Sequence, residues 1–278
     1  MIILAHDGSL YGDWVARYAI RFAANETDRK LLLLHVLDGR IETAIAEARL
    51  ARLREECAGA GVTCHQEMLT PGQSVHRTLR QATPHDPTAL LICGTRVKPR
   101  RQAFLTGSVA ELLLRGHQCP VLALRVVQPG LLGLPHDLLI PLAGHHDSYS
   151  RLEPILRRLL PQLRRLHLLH ALPANPITQP HQTRERCETL LDEGRRYLDR
   201  IGTTLKEQHG TISCSIDHRV VITTDPAHQI LVEASHLKAQ MLLLGASERS
   251  LAHRVFHGQA LEQLLRDTPC DVGIYRGP

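Results

Sequence analysis

The sequence predicts an α/β protein made of two successive parallel sheets covered by helices. Three observations carry this expectation. Short apolar runs alternate with longer amphipathic segments, as in Ile2 to His6 followed by Tyr11 to Asn25, the pattern of strands joined by crossover helices. Hydrophobic residues make up 43% of the chain but aromatic residues only 3%, and a core of small aliphatic side chains suits sheets buried on both faces. Landmarks of the first half also return in the second at one offset. Gly94 and Gly245, Gly107 and Gly258, and Cys119 and Cys270 are each 151 residues apart, the mark of a tandem repeat.

The elements of the first half follow in order. Ile2 to His6 reads as a buried strand ending at Asp7-Gly8-Ser9, a turn-forming trio. In the helix Tyr11 to Asn25, Trp14, Tyr18 and Phe22 recur every four residues and mark the core face. Lys30 to Leu37 is the second strand. Ile41 to Ala60, rich in Ala, Glu, Arg and Leu, is a helix closed by Gly59 and Gly61. Val62 to Met68 is a weaker third strand, and Pro71 to Gln81 a helix with Pro near its start. Ala89 to Cys93 is the fourth strand, Val109 to Leu114 the last helix and Val121 to Leu124 the fifth strand.

The chemistry concentrates between the fourth strand and the last helix. The strand stops at Gly94, a basic stretch with Arg96, Lys98, Arg100 and Arg101 follows, and Gly107-Ser108 opens the helix. A helix N-terminus offers unpaired N–H groups and partial positive charge, and a glycine there lets a phosphate reach the backbone. Open parallel sheets bind ligands beyond the carboxyl ends of their strands. That rule places Asp7, Val36 and Gly94 at one crevice. The bland alternatives are a tight turn and helix start at the glycines, and a turn residue at Asp7.

Beyond a Pro- and Gly-bearing stretch the pattern repeats. Leu138 to Leu142 echoes the first strand, LHLLHAL at Leu166 to Leu172 echoes LLLLHVL with His170 matching His35, and Met241 to Gly245 echoes Leu90 to Gly94. The expected division is a first domain at 1–126, a linker at 127–137 and a second domain at 138–278. In the second loop Ala143 stands in the place of Asp7, Glu248 would repel a phosphate, and Gln259 replaces the hydroxyl residue. This half is expected to be a structural partner or to hold a different ligand.

The spacing of Gly94, Gly107 and Ser108 resembles the phosphate-binding signature of the universal stress protein family, glycine–two–glycine–nine–glycine–Ser/Thr. The stretch GSVAELLLRGHQCPVLAL is similar to that family's last helix and strand. One position departs from the pattern: Val97 stands at the second glycine, and valine disfavours the positive φ that glycine permits. The resemblance extends over both halves and implies two tandem Rossmann-like domains, adenine nucleotide alpha hydrolase-like, each a five-stranded parallel sheet of order 3-2-1-4-5. It implies that Asp7 and Val36 face an adenosine, and that Gly94, Arg96, Gly107, Ser108 and Val109 face the phosphates of ATP, ADP or AMP, with magnesium an optional companion. Members pair through their fifth strands, so a tandem chain is expected to form a pseudo-dimer within itself, with homo-oligomer formation left open. A stress-response or signalling role follows, with a non-nucleotide interaction module as the alternative. No dedicated catalytic constellation accompanies the loop, so slow ATP hydrolysis is the most to expect.

Composition narrows the classes further. Lys and Arg number 33 against 28 Asp and Glu, a mild excess that suits anionic small ligands and, with few aromatics for base stacking, does not point to nucleic acid. The pairs Arg157-Arg158, Arg164-Arg165 and Arg195-Arg196 read as solvated helix faces and ends. Seven cysteines without a C-x-x-C motif fit a reducing cytoplasm, with Cys93, Cys119 and Cys270 as small core residues. No apolar run approaches the roughly 20 residues of a membrane span, and IILAHDGS carries no export signal. His145-His146-Asp147, and His253 with His257, supply too few ligands for a metal site, so these are expected to be surface histidines.

Overall fold

The computed structural model describes residues 1–95, 108–116, 119–129, 133–144, 147–174, 184–210, 213–246 and 257–277. It divides into two compact units centred on Met1–Leu134 and Pro135–Gly245.

The first unit contains β1 (Ile2–His6), α1 (Leu10–Asn25), β2 (Lys30–Val36), α2 (Thr43–Gly59), β3 (Thr63–Leu69), α3 (Val75–Ala82), β4 (Leu90–Gly94), α4 (Val109–Gly116) and β5 (Val121–Arg125). Its strands are parallel in the order β3-β2-β1-β4-β5. Hydrophobicity explains the placement. Ile2, Ile3 and Leu4 of β1 and Leu90, Leu91 and Ile92 of β4 are fully buried, as central strands covered on both faces must be. In β3, by contrast, Thr63, His65 and Glu67 are exposed while Cys64 and Gln66 are half-buried, the alternation of an edge strand.

Helix α1 starts at a cap. The Ser9 side chain accepts the Gly12 N–H at 3.1 Å, satisfying one of the orphan donors of the first turn. Tyr18 and Phe22 point into the core, whereas Trp14 is half-buried beside the Tyr11 ring, 5.7 Å between centroids. Helix α2 buries Ala46, Leu50, Leu53 and Cys57 in one stripe. Helix α3 begins later than Pro71 suggests. Gly72 N–H donates to Thr78 Oγ1 at 3.0 Å and Ser74 keeps an extended backbone, so the chain loops before the helix and Pro71 stays outside it.

The second half of the chain contains β6 (Asp137–Pro141), α5 (Asp147–Ser150), α6 (Glu153–Leu159), β7 (Arg165–Pro173), α7 (Arg184–His209), β8 (Ser215–Thr223), α8 (Pro226–His236), β9 (Met241–Gly245), α9 (His257–Asp267) and β10 (Asp271–Arg276). Its strands run β8-β7-β6-β9 with β10 beside β9, the same 3-2-1-4-5 order. Two departures from the first unit have sequence causes. The helix matching α1 is split into α5 and α6; Pro154 occupies the first turn of α6, and Pro161 sits in the 3-10 turn Leu160–Gln162 that closes it. The helix matching α2 grows from 17 to 26 residues. Arg164-Arg165 proves not to lie on a helix: Arg165 opens β7 and pairs with Asp137 at 2.5 Å. Among the described residues no helix is long and apolar enough to cross a membrane.

Candidate functional site

Three of the expected site residues lie at the carboxyl ends of neighbouring strands. In the parallel register Ala5 faces Leu34 on one side and Cys93 on the other, and His6 faces His35. One step further, Asp7 follows β1, Val36 ends β2 and Gly94 ends β4. The connections from β1 and β4 diverge here, the switch point of an open sheet.

Each residue also has a local role. Asp7 is exposed, and its Oδ1 accepts the Ser9 N–H at 3.1 Å and the Ser9 hydroxyl at 2.5 Å. The Asp-Gly-Ser turn thus holds the carboxylate over the strand end while Ser9 caps α1. Val36 is buried, and its carbonyl accepts the Asp38 N–H at 2.9 Å. A Cβ at Gly94 would lie 3.1 Å from Tyr11 Cε1 and 3.2 Å from Val15 Cγ2, so this glycine lets α1 close on β4. Ser108 caps α4: its Oγ accepts the Glu111 N–H at 3.1 Å, with Val109 the first helical residue. The hydroxyl proton of Ser108 is not spent in that cap. Arg96, Val97 and Gly107 lie outside the described residues, as do His145, His146 and His253, while Asp147 and His257 are described only as backbone. Among the described residues no group of three His, Cys, Asp or Glu side chains could hold a metal.

Residues around the crevice that the sequence did not single out fix its floor. The Tyr11 hydroxyl donates to Thr95 O at 2.7 Å and accepts the Val126 N–H at 2.8 Å, tying together the ends of β4 and β5. His6 Nδ1 accepts the Gly8 N–H at 2.9 Å, so its proton is on Nε2, which donates to Asp13 Oδ1 at 3.1 Å. Arg49 reaches the other Asp13 oxygen at 2.6 Å. Burial pushes the Asp13 carboxyl up, but the hydrogen bond from His6, together with the bond and charge of Arg49, outweighs it and holds the group below its usual value. His35 Nδ1 donates to His6 O at 2.8 Å. Only the His35–His170 match between the halves hinted at any of this.

The second half of the chain repeats the frame with Ala143 in the place of Asp7. His170 Nδ1 donates to Leu142 O at 2.8 Å, and Ala246 N–H donates to Tyr275 O at 2.7 Å as Thr95 N–H does to Leu124 O at 2.7 Å. Ala143 follows β6 where Asp7 follows β1. A hollow of about 1150 Å³ opens there, lined by Gly144, Tyr149, His170, Gly194 and Tyr197 among others. The His170 and Tyr197 rings lie 5.4 Å apart at 57°.

Sheet order, flanking helices and switch-point crevice together define a tandem pair of Rossmann-like α/β domains. The family model of the universal stress protein family matches residues 1–125 and again 138–276; the chain belongs to that family. A universal stress protein from Archaeoglobus fulgidus DSM 4304 has a similar structure, with a TM-score of 0.64 at 17% identity, covering 99% of this chain and 96% of that one. A functionally unknown protein from Pseudomonas aeruginosa PAO1 gives 0.61 at 20% identity over 98% of this chain and 91% of its own. A Staphylococcus haemolyticus protein designated to the same family is 26% identical over 138 residues, 45% of this chain and 83% of its own length.

Proposed function

We propose that the first domain binds an adenine nucleotide, ATP, ADP or AMP, in the crevice at the ends of β1, β2 and β4, and that the chain acts in a cytoplasmic stress or signalling response. The observation that carries this reading is the convergence of Asp7, Val36 and Gly94 on adjacent strand ends, with Gly107-Ser108 opening a helix thirteen residues after Gly94. Asp7 accepts from the ribose or base, Val36 lies against the adenosine, and Arg96, Gly107, Ser108 and Val109 meet the phosphates. Magnesium accompanies a triphosphate. The reading is of binding, with slow hydrolysis at most. One family member was solved in complex with cAMP, 18% identical over 50% of this chain with a TM-score of 0.35; that fact concerns that protein.

The second domain, with Ala143 for Asp7, is read as no nucleotide site. Its hollow beside His170 suits a different small molecule. Pairing of the two domains within one chain belongs to the same reading, whose expected result in size-exclusion chromatography with light scattering is the mass of a single chain. A second reading, an interaction module without a nucleotide, is favoured by Val97 and by the engagement of Asp7 Oδ1 with Ser9.

The test is to purify the chain natively, denature it and identify released small molecules by mass spectrometry. One adenine nucleotide per chain supports the first-domain site. Two per chain would restore the second loop as a site. None, with no binding of added ATP and magnesium, selects the interaction module.

A further inference from the structure

All seven cysteines are free thiols. Cys93, Cys119, Cys214 and Cys270 are buried, and burial pushes their thiols up, to about 12 for Cys93 and about 11 for Cys119 and Cys270. Such thiols are inert. Cys187 is half-buried on α7. Cys57 and Cys64 differ from all of these because they have each other.

Cys57 is the last residue of the buried stripe of α2 and is fully buried; Cys64 is the second residue of the edge strand β3 and is half-exposed. The connection between them is short and tied. Ala60 N–H and Val62 N–H both return to Cys57 O, at 3.0 and 2.9 Å, and Gly61 takes a φ of +70°. The chain therefore reverses at once after Cys57 and brings Cys64 back alongside, where the two side chains hydrogen-bond to each other. Arg54, one turn before Cys57, acts on Cys64 with its positive charge. The bond from Cys57 holds the Cys64 thiol below its usual value, burial opposes this, and Arg54 adds to it. The same bond, followed by burial and the negative charge of Glu56, keeps the proton on Cys57. The accessible member is thus the more readily ionised of the two, and the buried member holds its proton more firmly.

We propose that Cys57 and Cys64 form a redox-active pair that a peroxide converts into a disulfide, joining the end of α2 to the edge of the sheet. The Cys64 thiolate attacks a peroxide oxygen; an S–O bond forms, the O–O bond breaks and hydroxide leaves. Cys57 then loses its proton and attacks the Cys64 sulfur. The S–S bond forms, the S–O bond breaks, and the departing hydroxide takes up the proton. Two thiols are oxidised by two electrons in total, and one hydrogen peroxide becomes two waters. The tied turn holds the end of α2 beside the start of β3, so the disulfide would join segments that are already neighbours. This inference stands apart from the nucleotide reading.

The experiment treats the reduced full chain with hydrogen peroxide, alkylates it in denaturant without reductant, and maps it by mass spectrometry. Trypsin cleaves after Arg54 and Arg77, so one peptide, Glu55–Arg77, carries both cysteines and no other. The expected product is that peptide unalkylated and lighter by two hydrogens, formed about tenfold or more faster than Cys93 loses its thiol. In Cys57→Ser, Cys64 stops at the sulfenic acid and is trapped by dimedone. In Cys64→Ser, which changes only the half-exposed partner, Cys57 stays alkylatable at the same dose. Three results would overturn the pair: a wild-type peptide that remains doubly alkylated, a disulfide from either cysteine to another position, or Cys57 oxidised as fast in Cys64→Ser as in the wild type.

Discussion

The Nδ1–H of His35 is donated to the carbonyl oxygen of His6 across 2.8 Å. His170 makes the same 2.8 Å bond to Leu142 in the second domain. In both places a glycine with positive φ covers the imidazole, Gly8 at +76° and Gly144 at +80°. The repeat therefore preserves the support beneath the strand ends even where Ala143 stands in the place of Asp7.

This support predicts an ordering of glycine substitutions. A Cβ would lie 3.0 Å from His35 Cε1 at Gly8 but 2.6 Å from His170 Cε1 at Gly144. Both Gly8→Ala and Gly144→Ala are expected to destabilise their domains by about 1–3 kcal/mol through backbone strain, with Gly144→Ala the larger because the ring must also move. Hydrogen exchange of each domain in urea would read this. Equal losses would contradict the closer packing at Gly144.

Tyr11→Phe removes a hydroxyl that serves Thr95 O and Val126 N–H together. The expected loss is about 1–3 kcal/mol, since two backbone groups lose a partner in a half-buried place. The single tryptophan, Trp14, stands beside the Tyr11 ring and reports first-domain unfolding by fluorescence. An unchanged urea midpoint would show that water replaces the hydroxyl without loss.

Acid should loosen the link between α1 and α2. The carboxyl of Asp13 is held below its usual 3.8 in the folded chain. A depressed carboxyl contributes stability that is full above the unfolded value and is lost as pH falls from about 3.8 through the lower folded value. Asp13→Asn is expected to lower stability at neutral pH and to flatten that acid limb. A mutant whose acid limb is as steep as the wild type's would assign the loss to other carboxylates.

Much of this architecture was legible in the sequence because the signals were local. The uninterrupted apolar runs of β1 and β4 announce buried parallel strands, and one offset in glycines and a cysteine announces the repeat. Asp7-Gly8-Ser9 reads as a turn and is one. Tyr11 could not be read, because its partners lie 84 and 115 residues away and meet it only once β4 and β5 are placed. The splitting of the first helix in the second domain is written in Pro154 and Pro161, but the match to α1 masks it. Helix α7 hides behind Gly194 and Gly202, residues that weaken a helical pattern; at Gly194 a side chain would meet Val220 Cγ1 at 2.6 Å, so the glycine lets α7 approach β8.

Substitution can separate the capping role of Ser108 from the phosphate contact proposed for it. Ser108→Ala removes the cap of α4 and should destabilise by about 1 kcal/mol, whereas Ser108→Gly should lose only a few tenths. If the hydroxyl also meets a phosphate, both variants bind ATP about tenfold more weakly, the worth of one hydrogen bond to a charged group. Loss of affinity in Ser108→Ala alone would trace the effect to the cap.

The most direct measurement is a calorimetric titration of ATP with magnesium into the full chain, repeated with Gly107→Val and with Gly258→Val. The nucleotide reading predicts one site per chain, abolished by Gly107→Val and unaltered by Gly258→Val. No binding to the wild type, or equal affinity in the wild type and Gly107→Val, would contradict it.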